Sequence, residues 1–350
     1  MSLRAERSNL KTKRDCFGGF QPPRSDIHEI FEAKRFTSLI IPAMNFLITG
    51  AAGFLGSSLA NRLAREGHQV RGLDDLSTGN PQALASDVHF TRGDVSDRPK
   101  LWTLLQGVDV VYHLAARVSV QESILYPRDY NAVNVGGTVA LMEAIRDVGV
   151  KRVVLASSGA VYGDLGDATL KETATPNPRS PYAVSKLAAE YYVRTIGGLW
   201  DIETVSLRIF NAYGPGQNLP PSHPPVVPHY LRQALRGGTL VAHGDGAQTR
   251  DYVYVDDVVS AMVAAATAPN INGLVINVGS GVETSVKGLI RAVLEVTQSK
   301  ANVVYNAQTS GGVSRMKADL NLAKEKLRFT PSIKLEEGLR LTLQRDSRFK

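Results

Sequence analysis

Hydrophobic positions along the chain fall into short continuous runs separated by stretches of helical period, and this alternation begins at residue 44. Phe46-Leu47-Ile48, His68 to Leu73, Val88-His89-Phe90, residues 108–116 and residues 151–158 read as strands. Runs that are continuous rather than alternating imply burial on both faces, as in a parallel sheet. Leu55, Leu59 and Leu63 recur at helical spacing after the first run. Further helices are predicted around 99–105, over 129–148, and from Pro181, a residue suited to a first helical turn. Past Asn211, strands at 240–242, 252–254 and 274–276 alternate with helices around 226–236, 257–266, 286–294, 320–327 and 335–343. The pattern predicts an α/β fold, a doubly wound parallel sheet with a smaller C-terminal α/β domain. The boundary is expected near residue 210, giving domains 44–210 and 211–350, with part of 251–280 returning to the first.

Residues 1–43 lack any sustained period and carry Arg4, Arg7, Lys11, Lys13 and Arg14 beside Pro22-Pro23, so a disordered extension is expected there. Glu6, Asp15, Asp26, Glu29 and Glu32 argue against an organelle presequence. Met44 directly precedes the first strand and is expected to be the functional start. Across 350 residues, 43% hydrophobic and 21% charged content is ordinary for a globular enzyme. The formal charge of +7 is not gathered into clusters interleaved with aromatics, so the reading is attraction for anionic ligands rather than nucleic acid. A lone cysteine, Cys16, leaves no intramolecular disulfide and no cysteine metal site, which suits a cytoplasmic protein. His223 and His229 sit in a proline-rich loop without metal-ligand spacing, and no run approaches the roughly 18 apolar residues of a membrane span.

The first strand runs into Gly50, Gly53 and Gly56, spaced G-x-x-G-x-x-G, and then into a helix opening with Phe54 and Leu55. Gly50 allows the tight turn, Gly53 lets backbone amides approach a pyrophosphate, and Gly56 lets the helix lie close on the sheet. An anion then sits on the helix N-terminus. The second strand ends at Asp74, about twenty residues on, where a carboxylate meets ribose hydroxyls and repels a 2′-phosphate, favouring NAD over NADP. A solvated strand-end turn is the plainer reading of Asp74. Asp94, followed by Val95, could meet the adenine amino group or cap the next helix. Leu114, Ala115 and Ala116 end the fourth strand with small side chains that leave room in the crevice, and Ser157 and Ser158 end the fifth with two hydroxyls.

Tyr182 and Lys186, four apart, share a helix face, and a cation near a phenol lowers its pKa from about 10. That makes the tyrosine usable as a general base, with Ser158 able to bind the same substrate oxygen. An ordinary helix surface would also hold such a pair, but not behind a nucleotide crevice and a Ser-Ser strand end.

Together these segments, with Arg208 to Pro215 and Arg250 to Asp257, resemble the extended short-chain dehydrogenase/reductases from Met44 to about Arg345. Within them the chain looks like NAD-dependent nucleotide-sugar epimerases of the UDP-glucose/UDP-galactose 4-epimerase type. The resemblance implies Tyr182 as the base, Lys186 on the nicotinamide ribose, Ser158 completing the triad, and Asn211 and Arg250 on the diphosphate of a UDP-sugar. A guanidinium suits that task because it pairs two phosphate oxygens at once; a surface ion pair with Asp251 or Asp245 is the alternative for Arg250. Related dehydratases and uronic-acid decarboxylases carry a glutamate two before the residue matching Tyr162, where this chain has Ala160. Without that carboxyl, epimerisation is favoured over elimination. An arginine and an aspartate of the epimerase pattern fall at Thr309 and Gly312, with Arg315 displaced and available for a phosphate contact. Met316 stands where the family limits room for an acetamido group. The resemblance also implies a homodimer through helices 129–148 and 181–199. A reductase or dehydratase of another nucleotide sugar, and a non-enzymatic dinucleotide sensor, are the competing readings; a sensor would need neither Tyr182 nor Lys186.

Overall fold

The structure, a computed structural model, describes residues 43–166, 169–306 and 313–350. The extension predicted over 1–43, Ala43 apart, and the departures at Thr309 and Gly312 lie outside the described residues. Ala43–Lys350 forms one compact unit. Its first half runs β1 (Asn45–Thr49), α1 (Phe54–Arg65), β2 (Gln69–Asp74), β3 (Val88–Arg92), α2 (Arg98–Leu104), β4 (Val110–His113), α3 (Val120–Leu125), α4 (Pro127–Tyr130), a π-helical segment (Asn131–Gly136), α5 (Gly137–Val148), β5 (Arg152–Ser158) and α6 (Pro181–Leu199). The second half runs β6 (Glu203–Ile209), β7 (Asn211–Tyr213), α7 (Val226–Leu235), β8 (Leu240–His243), β9 (Thr249–Arg250), β10 (Tyr252–Tyr254), α8 (Val255–Thr267), β11 (Leu274–Val278), β12 (Thr284–Ser285), α9 (Val286–Thr297), β13 (Val303–Asn306), α10 (Asn321–Leu327) and α11 (Leu335–Arg345).

Seven strands form one parallel sheet in the order β11-β6-β5-β4-β1-β2-β3. Phe46 and Ile48 pack with Leu59 and Leu63 of α1 and Val258 and Met262 of α8 on one face. Leu47, between them, packs on the other face with Leu101, Leu141, Ile145, Val153 and Val193 from α2, α5, β5 and α6. Helices on both faces are why the central strands read as unbroken apolar runs. The strand order reverses between β1 and β4, which opens a crevice at the carboxyl ends of these two strands.

Two departures from the sequence reading have physical causes. The helix expected over 129–148 is three segments, because six residues from Asn131 take π-helical turns; such turns favour functional positions. The strand β6 is absent from the sequence reading because its α6 face is polar: Thr204, Ser206 and Arg208 are buried there. Arg208 is kept inside by a bidentate pair with Glu190 of α6 at 2.9 and 2.8 Å and stacks on the Tyr162 ring at 4.6 Å.

The remaining strands form small two-stranded pairs, β7 with β10, β9 with β12 and β8 with β13. Between β9 and β10, Asp251, fully buried, accepts from Ser280 N and Oγ at 2.6 and 2.7 Å, Gly281 N at 2.9 Å and Ala318 N at 3.1 Å, tying these segments to one another.

Candidate active site

At the crevice the chain turns from β1 into α1 through Gly50, whose φ of +72° lies in the left-handed region. A Cβ on Gly50 would also fall 2.7 Å from Ala115 N, so the residue is fixed as glycine by both backbone and neighbours. A Cβ on Gly56 would lie 2.0 Å from Gly50 O, whereas one on Gly53 would meet only Gly50 O at 3.2 Å. Gly56 is thus required by packing, and Gly53 leaves open the space in front of the helix. Gly53 caps α1 without a side-chain hydrogen bond, so the first-turn amides are available to an anion. Phe54 and Leu55, opening α1, are half-buried and packed against the core.

Asp74 ends β2, nearly buried, and accepts from Ala52 N at 3.0 Å and Leu76 N at 2.8 Å. Burial pushes its carboxyl pKa up while these amides pull it down. Asp74 therefore ties the glycine loop to the end of β2. The two readings of Asp94 separate: α2 is capped by Asp97, which accepts from Lys100 N at 3.1 Å. Asp94 is exposed, and its Oδ1 accepts from Ser96 N and Oγ, each at 2.7 Å. Val95 is buried against α5, where a Cβ on Gly137 would lie 2.5 Å from Val95 Cγ1. Leu114 N and Ala115 N donate to Thr49 O and Oγ1 at 3.1 and 3.3 Å, holding the end of β4 beside the glycine turn, with Ala116 next along. The glycine turn, the uncapped first-turn amides of α1 and the carboxylate that ends β2 are the kind of groups a dinucleotide engages, and the residues present fit one.

Tyr182 and Lys186 lie one turn apart on α6, whose N-cap Ser180 accepts from Ala183 N at 3.2 Å. Burial raises the Tyr182 pKa, and the nearby Ser158 hydroxyl opposes this. Burial lowers Lys186 to about 8, with Glu190 acting against the shift. The expected lowering of the phenol is not what the structure gives: burial raises Tyr182, and the charge of Lys186 bears on His113. A dry pocket disfavours both the phenolate and the ammonium, so each group moves toward its neutral form. Ser158 also accepts from Ala160 N at 3.1 Å. Ser157 is turned away, its hydroxyl donating to Glu190 at 2.5 Å, which leaves only its backbone for a cofactor.

A buried chain of hydrogen bonds, missed in the sequence, joins this helix to the sheet. Thr138 Oγ1 donates to Asn134 O at 2.6 Å, so it accepts from His113 Nε2 at 2.9 Å. His113 Nδ1 in turn accepts from Thr49 Oγ1 at 2.7 Å, and burial lowers the imidazole to about 3, keeping it neutral. The π-helical turn points Asn134 inward, where Nδ2 donates to Arg117 O at 3.0 Å and Ser185 Oγ at 2.9 Å, and Ser185 donates to Tyr182 O at 2.8 Å. Tyr130 meets the Tyr182 ring edge-on at 6.5 Å. The only sequence signal for this chain was an Asn followed by Gly-Gly inside a helix.

On the C-terminal side, Asn211 begins β7, with its amide on Asp251 O at 3.0 Å. Arg250 ends β9 and donates through Nη1 to Thr249 O at 2.7 Å and Val313 O at 2.8 Å; burial lowers its pKa. The pairing of Arg250 with Asp251 is excluded, because both Asp251 oxygens are taken by Ser280, Gly281 and Ala318. Arg315 reaches the same neighbourhood, but its Nε and Nη2 are occupied by the two oxygens of Glu283. Met316 is buried with Val161, Tyr162, Leu170 and Phe210.

A sequence profile of the NAD dependent epimerase/dehydratase family matches residues 46–279. The chain belongs to that family. Over 308 residues it is 39% identical to a UDP-glucose 4-epimerase of Mycolicibacterium smegmatis, covering 86% of this chain and 98% of that protein. The crystal structure of a UDP-glucose 4-epimerase from Thermotoga maritima with UDP-glucose superposes with a TM-score of 0.82 at 34% identity, covering 86% of this chain and 98% of that one. A UDP-N-acetyl-alpha-D-glucosaminuronate decarboxylase of Bacillus cytotoxicus is 32% identical, over 85% of this chain and 96% of that protein. The protein is thus an enzyme of an NAD-dependent superfamily whose members act on UDP-sugars by more than one reaction. Among the described residues no helix is long and apolar enough to cross a membrane, and no cluster of potential metal ligands occurs.

Proposed function

We propose that the protein interconverts the C4 epimers of a UDP-hexose through a transient 4-keto sugar. The observation that supports this is the hydrogen bond between Ser158 and Tyr182, with no carboxyl at Gly159 or Ala160 beside Ser158. Bound in its oxidised form, NAD supplies the hydride acceptor and a positive charge that favours the phenolate. Gly50, Gly53 and the first turn of α1 hold its diphosphate, Asp74 the ribose hydroxyls, Asp94 and Val95 the adenine end, and Lys186 the second ribose. Tyr182 takes the proton of the sugar 4-hydroxyl and returns it once the keto sugar has turned over, while Ser158 hydrogen-bonds the same oxygen. Asn211, Arg250 and Arg315 hold the nucleotide diphosphate, which keeps the sugar tethered while it rotates. Met316 bounds the sugar pocket.

The chain is further read as a homodimer. Val120, Ile124 and Leu125 of α3 and Val184, Tyr191, Tyr192 and Leu199 of α6 are exposed on helices that pack on each other, and such apolar groups on adjoining helices suit a second copy.

Incubation with UDP-glucose, UDP-N-acetylglucosamine and UDP-glucuronate, with chromatographic separation of products, tests the reaction. The C4 epimer of at least one should form, and Tyr182→Phe should slow it by about 10² or more. A 4-keto product that persists, or wild-type rates in the variant, would contradict the proposal.

A further inference from the structure

The two guanidinium groups near β7 and β9 are in different circumstances. β9 and β12 pair antiparallel, with Arg250 opposite Thr284 and Thr249 opposite Ser285, so Glu283 leads into β12 beside the Arg250 strand. Arg250 is fixed by two backbone carbonyls. Arg315 is held by a carboxylate: Nε and Nη2 meet Oε1 and Oε2 of Glu283, the latter at 2.6 Å. Thr249 Oγ1 donates to the same carboxylate at 2.5 Å. The backbone carrying Arg315 is anchored separately, by Ser314 on Asp164 at 3.1 Å (N) and 2.8 Å (Oγ) and by Thr249 N on Ser314 O at 3.0 Å.

On the reading that Arg250 and Arg315 serve the substrate diphosphate, we infer that Glu283 is an internal rival for that diphosphate. It occupies the Arg315 fork until the nucleotide displaces it, and so sets how tightly the nucleotide binds. A carboxylate presents two oxygens to a guanidinium much as a phosphate does, so one anion replaces the other in the same geometry. Exchange needs no opening of the core, since the Arg315 side chain is 36% exposed and that of Glu283 19%. The anchored backbone keeps Arg315 in place while its side chain changes partner. Arg315 and Thr249 hold the Glu283 carboxyl below its usual range, so it stays ionised and competes at neutral pH. Freeing that carboxylate consumes part of the nucleotide's binding energy and eases product release.

Isothermal titration of UDP into the NAD-loaded protein distinguishes this from a role in orienting Arg315. Glu283→Gln should bind UDP about fivefold more tightly than wild type, with uridine binding and the thermal midpoint little changed. Glu283→Asp, with a shorter reach, should shift affinity in the same direction by less. Unchanged or weaker UDP binding by a folded Glu283→Gln would overturn the rivalry while leaving the substrate reading intact. Failure of the wild type to bind UDP would instead overturn the substrate reading, and the inference with it.

Discussion

Lys186 is a residue at which burial has a testable consequence. Its pKa falls from 10.5 to about 8 in the folded protein, so between these values the unfolded chain holds a proton that the native state has released. More protons on the unfolded state means that stability rises with pH across that window and is flat for this group below about 8. The cofactor-free wild type should therefore gain more stability than Lys186→Met between about pH 7.5 and about pH 9.5, by on the order of 2 kcal/mol. Urea denaturation of both at the two pH values checks this; equal gains would show that the ammonium is solvated in the native state. The pairing of Tyr182 with Lys186 was legible as spacing on a helix, but the sign of the phenol's shift was not. Spacing reports which groups share a face, whereas the shift depends on how dry that face becomes once α6 lies on the sheet.

At the level of elements, the glycine turn separates packing from binding. Gly56→Ala forces a Cβ to 2.0 Å from Gly50 O and should cost about 2–4 kcal/mol of stability as well as NAD affinity. Gly53→Ala, with φ −76° and its closest approach at 3.2 Å, should retain most stability and lose NAD affinity alone. Thermal melts with NAD titrations on both variants measure the difference; equal affinity of Gly53→Ala and wild type would remove the pyrophosphate from this turn. Elements packed on both sides by apolar helices, such as β1, β4 and β5, were legible because their runs are continuous. The polar face of β6 hid it, since Arg208 is buried only by virtue of Glu190, 18 residues earlier in the chain. Asn134 was nearly silent: a π-helical turn and two tertiary partners, Arg117 and Ser185, give it its place, and of these only the Gly-Gly pair inside a helix left a trace in the sequence.

For the molecule as a whole, the apolar side chains exposed on α3 and α6 predict association. Sedimentation velocity at micromolar concentration should show two chains per particle, and Leu125→Glu with Val184→Glu should give one. A wild type that sediments as a single chain would remove that reading without touching the chemistry.

The chemistry is tested most directly by isotope. Given the UDP-sugar it epimerises, carrying deuterium at C4, the enzyme loaded with NAD should form the C4 epimer with the deuterium still at C4 and with no net gain in reduced cofactor absorbance. Deuterium lost to solvent, or reduced cofactor accumulating in step with product, would contradict hydride removal and return at a single carbon.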